Sequence, residues 1–212
     1  MMAIAASIVL VLTCASCKDK NCPDYLQYQV PYTVSPIQDT FDIGDTIWIE
    51  MNFADQLTDL RGGIANTFSD FDFNLHLECG RFDIDPPQGK AVSFMDAIAF
   101  EGEIASTILP MSGVSFYKIV PFYIEQTYSF KGAVVLKQQG TFLCGISPSS
   151  GRADPFEIKG NCNHLSLEIS SKVNNGDPAE NNYHLLKSSP VPVYRDMTVE
   201  RFGQGAVCFV VR

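Results

Sequence analysis

The sequence predicts an all-β fold, a mainly antiparallel β-sandwich of immunoglobulin-like or jelly-roll-like type with little helix. Three observations carry that prediction. From Tyr25 onward the dominant apolar period is two rather than 3.6. Turn-forming clusters such as "SPSSGRADP" and "VNNGDP" separate the apolar runs at short intervals. Runs with helical spacing are scarce, and many short strands between polar turns point to a sandwich or barrel.

In chain order, "TIWIEMNF" alternates cleanly, with Ile47, Ile49, Met51 and Phe53 on one face and Trp48, Glu50 and Asn52 on the other. The Asp42–Asp45 segment before it supplies the turn. "FDFNLHLEC" reads as a second such strand, placing Phe71, Phe73, Leu75, Leu77 and Cys79 inward. "SFMDAIAFEGEIAS" is ambiguous between helix and strand. "VSFYKIVPFYI" is strand-like but interrupted by Pro121, which signals an edge, bend or bulge. "YSFKGAVVLK", "TFLCGI", "LSLEIS" and "AVCFVV" complete the strands, and "AENNYHLLKS" has room for one or two helical turns. The β-rich region covers residues 25–212. A division near Leu109-Pro110 would make two small β units, and one continuous sandwich is the preferred reading.

The amino terminus is of another kind. In "MMAIAASIVLVLTCAS" the apolar stretch Ala3–Leu12 is shorter than the ~20 residues that span a bilayer as a helix. Followed by small residues, it reads as a signal peptide over residues 1–16. No Lys or Arg precedes Lys18, so either the α-amino group supplies the positive charge or the true start lies upstream. Cys14-Ala15-Ser16-Cys17 resembles the lipobox of bacterial lipoproteins, with Ala15 and Ser16 at the small-residue positions and Cys14 where Leu is usual. The resemblance covers only the first twenty or so residues. It implies that Cys17 is acylated and becomes the mature N-terminus, with residues 17–24 as a polar tether. Two or more acyl chains at about 0.8 kcal/mol per buried methylene hold a protein at a membrane without a spanning helix. The implied location is the cell envelope, anchored to the outer membrane on its periplasmic or surface-exposed face.

The formal charge of −9 and pI near 4.7 disfavour nucleic acid or anionic lipid as an electrostatic partner. Behind the lipobox stand Cys22, Cys79, Cys144, Cys162 and Cys208. Export makes disulfides permissible, and five cysteines allow at most two bridges in roughly 15 arrangements. Cys144 and Cys208 lie in similar strand contexts and are the first pair to test, with simple buried thiols as the alternative. No C-x-x-C spacing follows the lipobox, which disfavours a zinc ribbon or a thioredoxin-type site.

Catalytic signatures are absent from the sequence. His76, His164 and His184 are far apart; Cys162 and His164 make only two metal ligands, and two do not make a site. No G-x-S-x-G elbow or P-loop occurs, and Gly203-Gln204-Gly205 reads as a turn into the last strand. Asp70 with Asp72, and Asp83 with Asp85, are spaced i, i+2 and are weak Ca²⁺ candidates lacking the D-x-D-x-D-G loop. Aromatics crowd between Phe116 and Phe130. Trp48, Tyr117, Tyr123 and Tyr128 are the candidate ligand contacts, against the simpler expectation that strand aromatics fill the core. The expected function is therefore a non-catalytic binding or adhesion module for a glycan or protein, without cofactor. The alternative is an assembly accessory of an envelope complex, and a secreted hydrolase has the poorest motif support. A binding module predicts an exposed aromatic patch, and an assembly accessory predicts an uncovered strand edge.

Overall fold

The protein is described here from a computed structural model that covers residues 25–85, 87–148, 166–198 and 205–212. Its first half contributes β1 (Tyr25–Ser35), β2 (Thr40–Phe41), β3 (Thr46–Ala54), β4 (Gln56–Thr58), β5 (Ala65–Thr67), β6 (Leu75–Arg81) and β7 (Gln88–Gly89). A single turn of helix, α1 (Ala91–Phe94), leads into β8 (Met95–Glu101), β9 (Glu103–Ile108), β10 (Ser115–Val120) and β11 (Phe122–Ile124). Then come β12 (Thr127–Leu136), β13 (Gly140–Pro148) and β14 (Ser166–Val173). After 3-10 turns at Asn174–Gly176 and Tyr183–Ser188, a short α2 (Pro192–Arg195) precedes β15 (Ala206–Val211).

The fold is an all-β sandwich. One large sheet runs β11-β12-β3-β1-β14, with β8 also beside β12; the second runs β2-β15-β13-β6-β10-β9, with β7 beside β6; β4 and β5 form a small two-stranded sheet. Among the described strands only β1–β14 and β15–β2 pair in parallel, and a single parallel bridge joins Lys90 to Ser115. The alternating residues of β3 behave as expected: Ile47, Ile49, Met51 and Phe53 are buried, and Glu50 and Asn52 are exposed. They meet Leu75, Leu77, Phe142, Ile146, Tyr117 and Ile119 of the opposite sheet in one continuous core. Each such side chain contributes about 1.5–3 kcal/mol through burial. The Leu109-Pro110 boundary falls within the β9–β10 hairpin turn, and both sheets take strands from either side of it.

Two corners show how a strand can change sheets. Pro121 separates β10, in the seven-stranded sheet, from β11, in the six-stranded sheet, so its lack of an N–H falls where no ladder is needed. The ambiguous segment resolves into α1, β8 and β9, with Gly102 at φ +81 carrying the chain from one sheet to the other. A Cβ on Gly102 would lie 2.7 Å from the Val120 carbonyl oxygen, so this corner requires glycine. "FDFNLHLEC" is only partly strand. Asp70 and Asn74 have positive φ, the Asn74 N–H donates to Asp72 Oδ1 at 2.7 Å, and β6 starts at Leu75. Within "AENNYHLLKS" only Tyr183–Ser188 is helical, as a 3-10 turn.

The Cys144–Cys208 pairing is overturned. Cys144 sits directly opposite Cys79 and is bonded to it across β13–β6, inside the main core. Cys208 lies opposite Leu143, one residue out of phase. Successive strand residues face opposite ways, so Cys208 faces outward into a small satellite core with Phe82 and Leu186. It is a buried free thiol, and burial pushes its pKa up.

Candidate functional site

The outer face of the six-stranded sheet is built from the residues that the core does not use. Register aligns them in rungs across β3, β12 and β8. The first is Trp48–Ala133–Ile98. Ala133 is only 4% exposed although it faces away from the core. Its small side chain lets the Trp48 ring approach Phe100 across it, with centroids 5.3 Å apart and planes tilted by 40°. Phe100 remains 62% exposed and Ile98 52% exposed, so β8 presents the open apolar surface while Trp48 is half-buried behind it.

The next rung is ionic: Glu50–Lys131–Glu101. Lys131 Nζ lies 2.8 Å from Glu50 Oε1 and 5.6 Å from the centroid of the Trp48 ring, joining the ionic rung to the aromatic one. Beyond it Asn52–Ser129–Phe122 and Ala54–Thr127–Ile124 continue the face, with Phe122 and Ile124 exposed.

Beside these rungs opens a polar groove of about 390 Å³, lined by Pro31, Thr33, Glu50, Asn52, Lys131, Lys172 and Asn175 among others. Its origin is local. β1 pairs with β3 only over Thr33–Ser35, then diverges to run beside β14. On the β3 side, Gln27 donates its N–H to Asp59 Oδ1 and accepts from the Leu60 N–H, both at 2.8 Å. Pro31 lies four residues on along the same side and has no N–H to offer there, so the ladder to β3 lapses and a slot is left. The Asp59 carboxylate that holds Gln27 also accepts from the Gly62 N–H. Lys172 reaches the groove from β14 and has no ion-pair partner among the described residues.

No protein-family model and no curated protein matches this chain. The site is therefore read from its chemistry alone. Of the four aromatic contacts the sequence nominates, the structure places two in the core. Tyr117 and Tyr128 are buried; Tyr117 donates to the Met95 carbonyl at 2.7 Å, and Tyr128 donates to the Phe68 carbonyl. Burial raises the Tyr128 pKa to about 12. As contact residues they are corrected: on β10 and β12 they share the inward phase with Ile119 and Phe130. Tyr123 is half-buried, its hydroxyl donating to Asp55 Oδ2 at 2.7 Å. Trp48 alone of the four belongs to the outer face of rungs.

The acidic pairs do not converge. Asp72 is exposed and 3.5 Å from Lys118 Nζ, whereas Asp83 takes a two-point contact from Arg81 at 2.7 and 3.1 Å. Burial would raise the Asp83 pKa, but the Arg81 guanidinium outweighs it and holds the carboxyl low. Asp70 and Asp85 are exposed on loops, where their i, i+2 spacing from Asp72 and Asp83 does not put each pair on one strand face. Among the described residues no three metal-ligating side chains cluster. His76 stacks on Phe116 at 4.1 Å, and burial lowers its pKa. Cys14, Cys17, Cys22, Cys162, His164 and Gly203-Gln204 lie outside the described residues, as do the signal and tether segments. Among the described residues no helix is long and apolar enough to cross a membrane.

Phe100, Ile98 and Lys172 are the contributors that sequence reading passed over. The signal for Ile98 and Phe100 was the period-two spacing of Asp96, Ile98 and Phe100, which a strand presents on one face.

Proposed function

We propose that this protein is an exported lipoprotein, acylated at Cys17 and anchored to the outer membrane, whose β-sandwich binds an envelope glycan or protein without catalysing a reaction. The contact surface is the outer face of the six-stranded sheet. The observation that carries this reading is Phe100, exposed against Trp48 and beside the polar groove. An apolar ring next to convergent Asn, Lys and Glu side chains suits a ligand with one apolar and one hydroxyl- or amide-rich face. The absence of a sequence motif for hydrolysis leaves the carboxylates here as binding groups, with Glu50 already engaged by Lys131.

Trp48 is the only tryptophan, so tryptophan emission, excited selectively over the eight tyrosines, reports on this surface alone. Titration of the full chain with a panel of defined envelope saccharides and peptidoglycan fragments should shift that emission for at least one member. Phe100→Ala and Lys172→Ala should each weaken the response while leaving the circular dichroism spectrum unchanged. A panel without any shift, together with unchanged retention of wild type and Phe100→Ala on an envelope-protein column, overturns the assignment. The anchor is tested separately: Cys17→Ala should abolish lipid labelling, and label persisting on that variant refutes the processing site.

A further inference from the structure

We propose that β9 is a self-association edge, at which two copies of this chain pair their β9 strands antiparallel about a two-fold axis at Ser106. The pairing joins two seven-stranded sheets into one continuous sheet.

Among the described residues β9 ends the strand order of its sheet and pairs only with β10. Its other edge therefore presents backbone N–H and C=O groups without strand partners among the described residues. Exposed edges in native proteins are ordinarily guarded by Lys, Pro, a bulge or inward charges. β9 has none of these between Ile104 and Ile108. From Ile104 to Val114 there is no ionisable side chain, in a chain of net charge −9. An interface between two such acidic copies must form where carboxylates do not face each other, and this stretch meets that condition.

The choice of a second copy rests on the order of the residues. Ile104-Ala105-Ser106-Thr107-Ile108 reads almost the same from either end. A two-fold interface brings one patch against itself, so it demands this kind of self-complementarity. With Ser106 opposite Ser106 of the second copy, Ile104 meets Ile108 of the second copy and Ile108 meets its Ile104. All of these lie on the face that continues the core, since their β10 partners Ile119, Tyr117 and Ser115 point inward. On the other face Ala105 meets Thr107. Ile108 is 60% exposed despite its core-side orientation, so the core of one copy stops short at this edge. Glu103, the only charge, falls opposite Leu109 of the second copy and not opposite another carboxylate. Cross-strand pairs of β-branched residues favour such a register, and like charges directly opposite oppose it.

Antiparallel partners at the two-fold have Cα atoms about 4.5–5.5 Å apart, within the range a disulfide spans. In the full chain, Ser106→Cys should cross-link rapidly to a dimer under mild oxidation. Ser112→Cys, exposed at the hairpin tip and far from its counterpart in this pairing, should not. In a mixture of two differently tagged variants, Ile104→Cys should cross-link to Ile108→Cys and neither to itself. Ser106→Lys, with native circular dichroism, should lose the dimer captured by a lysine-independent cross-linker in wild type. Equal cross-linking at Ser106 and Ser112, or none at either pair of positions, overturns the proposal. Recovery of a different protein bound at β9, with no self-pairing, assigns the edge to another partner and overturns it equally.

Discussion

Breaking the Cys79–Cys144 bridge tests the placement of the whole seven-stranded sheet. The bond closes a chain segment of sequence separation 65, tying β6 to β13 at the middle of the core. In the chain-entropy treatment, a loop of that length adds about 4 kcal/mol by restricting the unfolded state. Replacing both cysteines with alanine also removes two buried sulfurs, at a further cost of about 1 kcal/mol. With a urea dependence of about 2 kcal/mol/M, the unfolding midpoint of Cys79→Ala/Cys144→Ala should fall by roughly 2.5 M.

Cys208→Ala is the control. It removes a buried thiol from the satellite core and carries no loop term, so its loss should be about 1 kcal/mol. Urea denaturation followed by circular dichroism gives both midpoints, and peptide mapping without reduction gives the connectivity. Equal destabilisation by Cys208→Ala, or a peptide joining Cys144 to Cys208, would refute the phase argument that places these two residues on opposite faces of β15 and β13.

Two further perturbations probe local devices. Asp59 is buried and ties the start of β1 to the turn after β4 by accepting from the Gln27 and Gly62 N–H groups. Asp59→Ala should lose about 2 kcal/mol, since charge-assisted bonds vanish and the half-buried Gln27 N–H is left without its partner. Burial would raise the Asp59 pKa, but the backbone donors Gln27, Gly62 and Arg61, with the Arg61 charge, hold it below the ordinary value. Its stabilisation should therefore be complete above about pH 4 and be lost as pH falls through the lowered folded value, because the unfolded state binds the proton first. Denaturation between about pH 2 and 5 should show a shallower slope in the alanine variant, and an identical slope would remove Asp59 from the account. Gly102→Ala should cost about 2–4 kcal/mol, from the left-handed backbone and the collision with the Val120 carbonyl. A thermal midpoint within a degree of wild type would show that the corner can relax.

Much of the fold was legible because half-buried strands write their geometry in alternation. β3 is the clearest case, with four apolar residues inward and Trp48, Glu50 and Asn52 outward, each face dictated by a period of two. β1 alternates as regularly, with Leu26, Tyr28, Val30, Tyr32 and Val34 buried, yet Pro31 in its middle obscures it. Proline argues against a strand only where its N–H is required, and that requirement depends on a neighbour the sequence does not name. The disulfide was illegible for a related reason. Cys79, Cys144 and Cys208 all stand in apolar strands, and only the register decides which two share a face. The tyrosines failed as contacts because aromatic crowding says nothing about phase: a one-residue shift moves a ring from ligand to core. Phe100 was hidden in a segment whose helix and strand readings compete, and the Gly102 corner decides between them.

That corner also separates the two surfaces proposed for this chain. Phe100 and β9 lie on one ribbon, but Gly102 sends β8 into one sheet and β9 into the other. Phe100 stands on the outer face of the six-stranded sheet, whereas Ile104 and Ile108 lie at the edge of the seven-stranded sheet on its core side. Ligand binding on the first face leaves the backbone of β9 untouched, and strand pairing at β9 leaves the Trp48–Ala133–Ile98 rung uncovered. A two-fold axis at Ser106 then places two such faces in one particle. If both surfaces operate, their contributions multiply through the effective concentration of the second site. Ser106→Lys should lower avidity for an immobilised multivalent ligand while sparing the emission shift of Trp48, and Phe100→Ala should abolish the shift while sparing the Ser106 cross-link. Coupled loss of both in either variant would mean that the corner transmits what this geometry keeps apart.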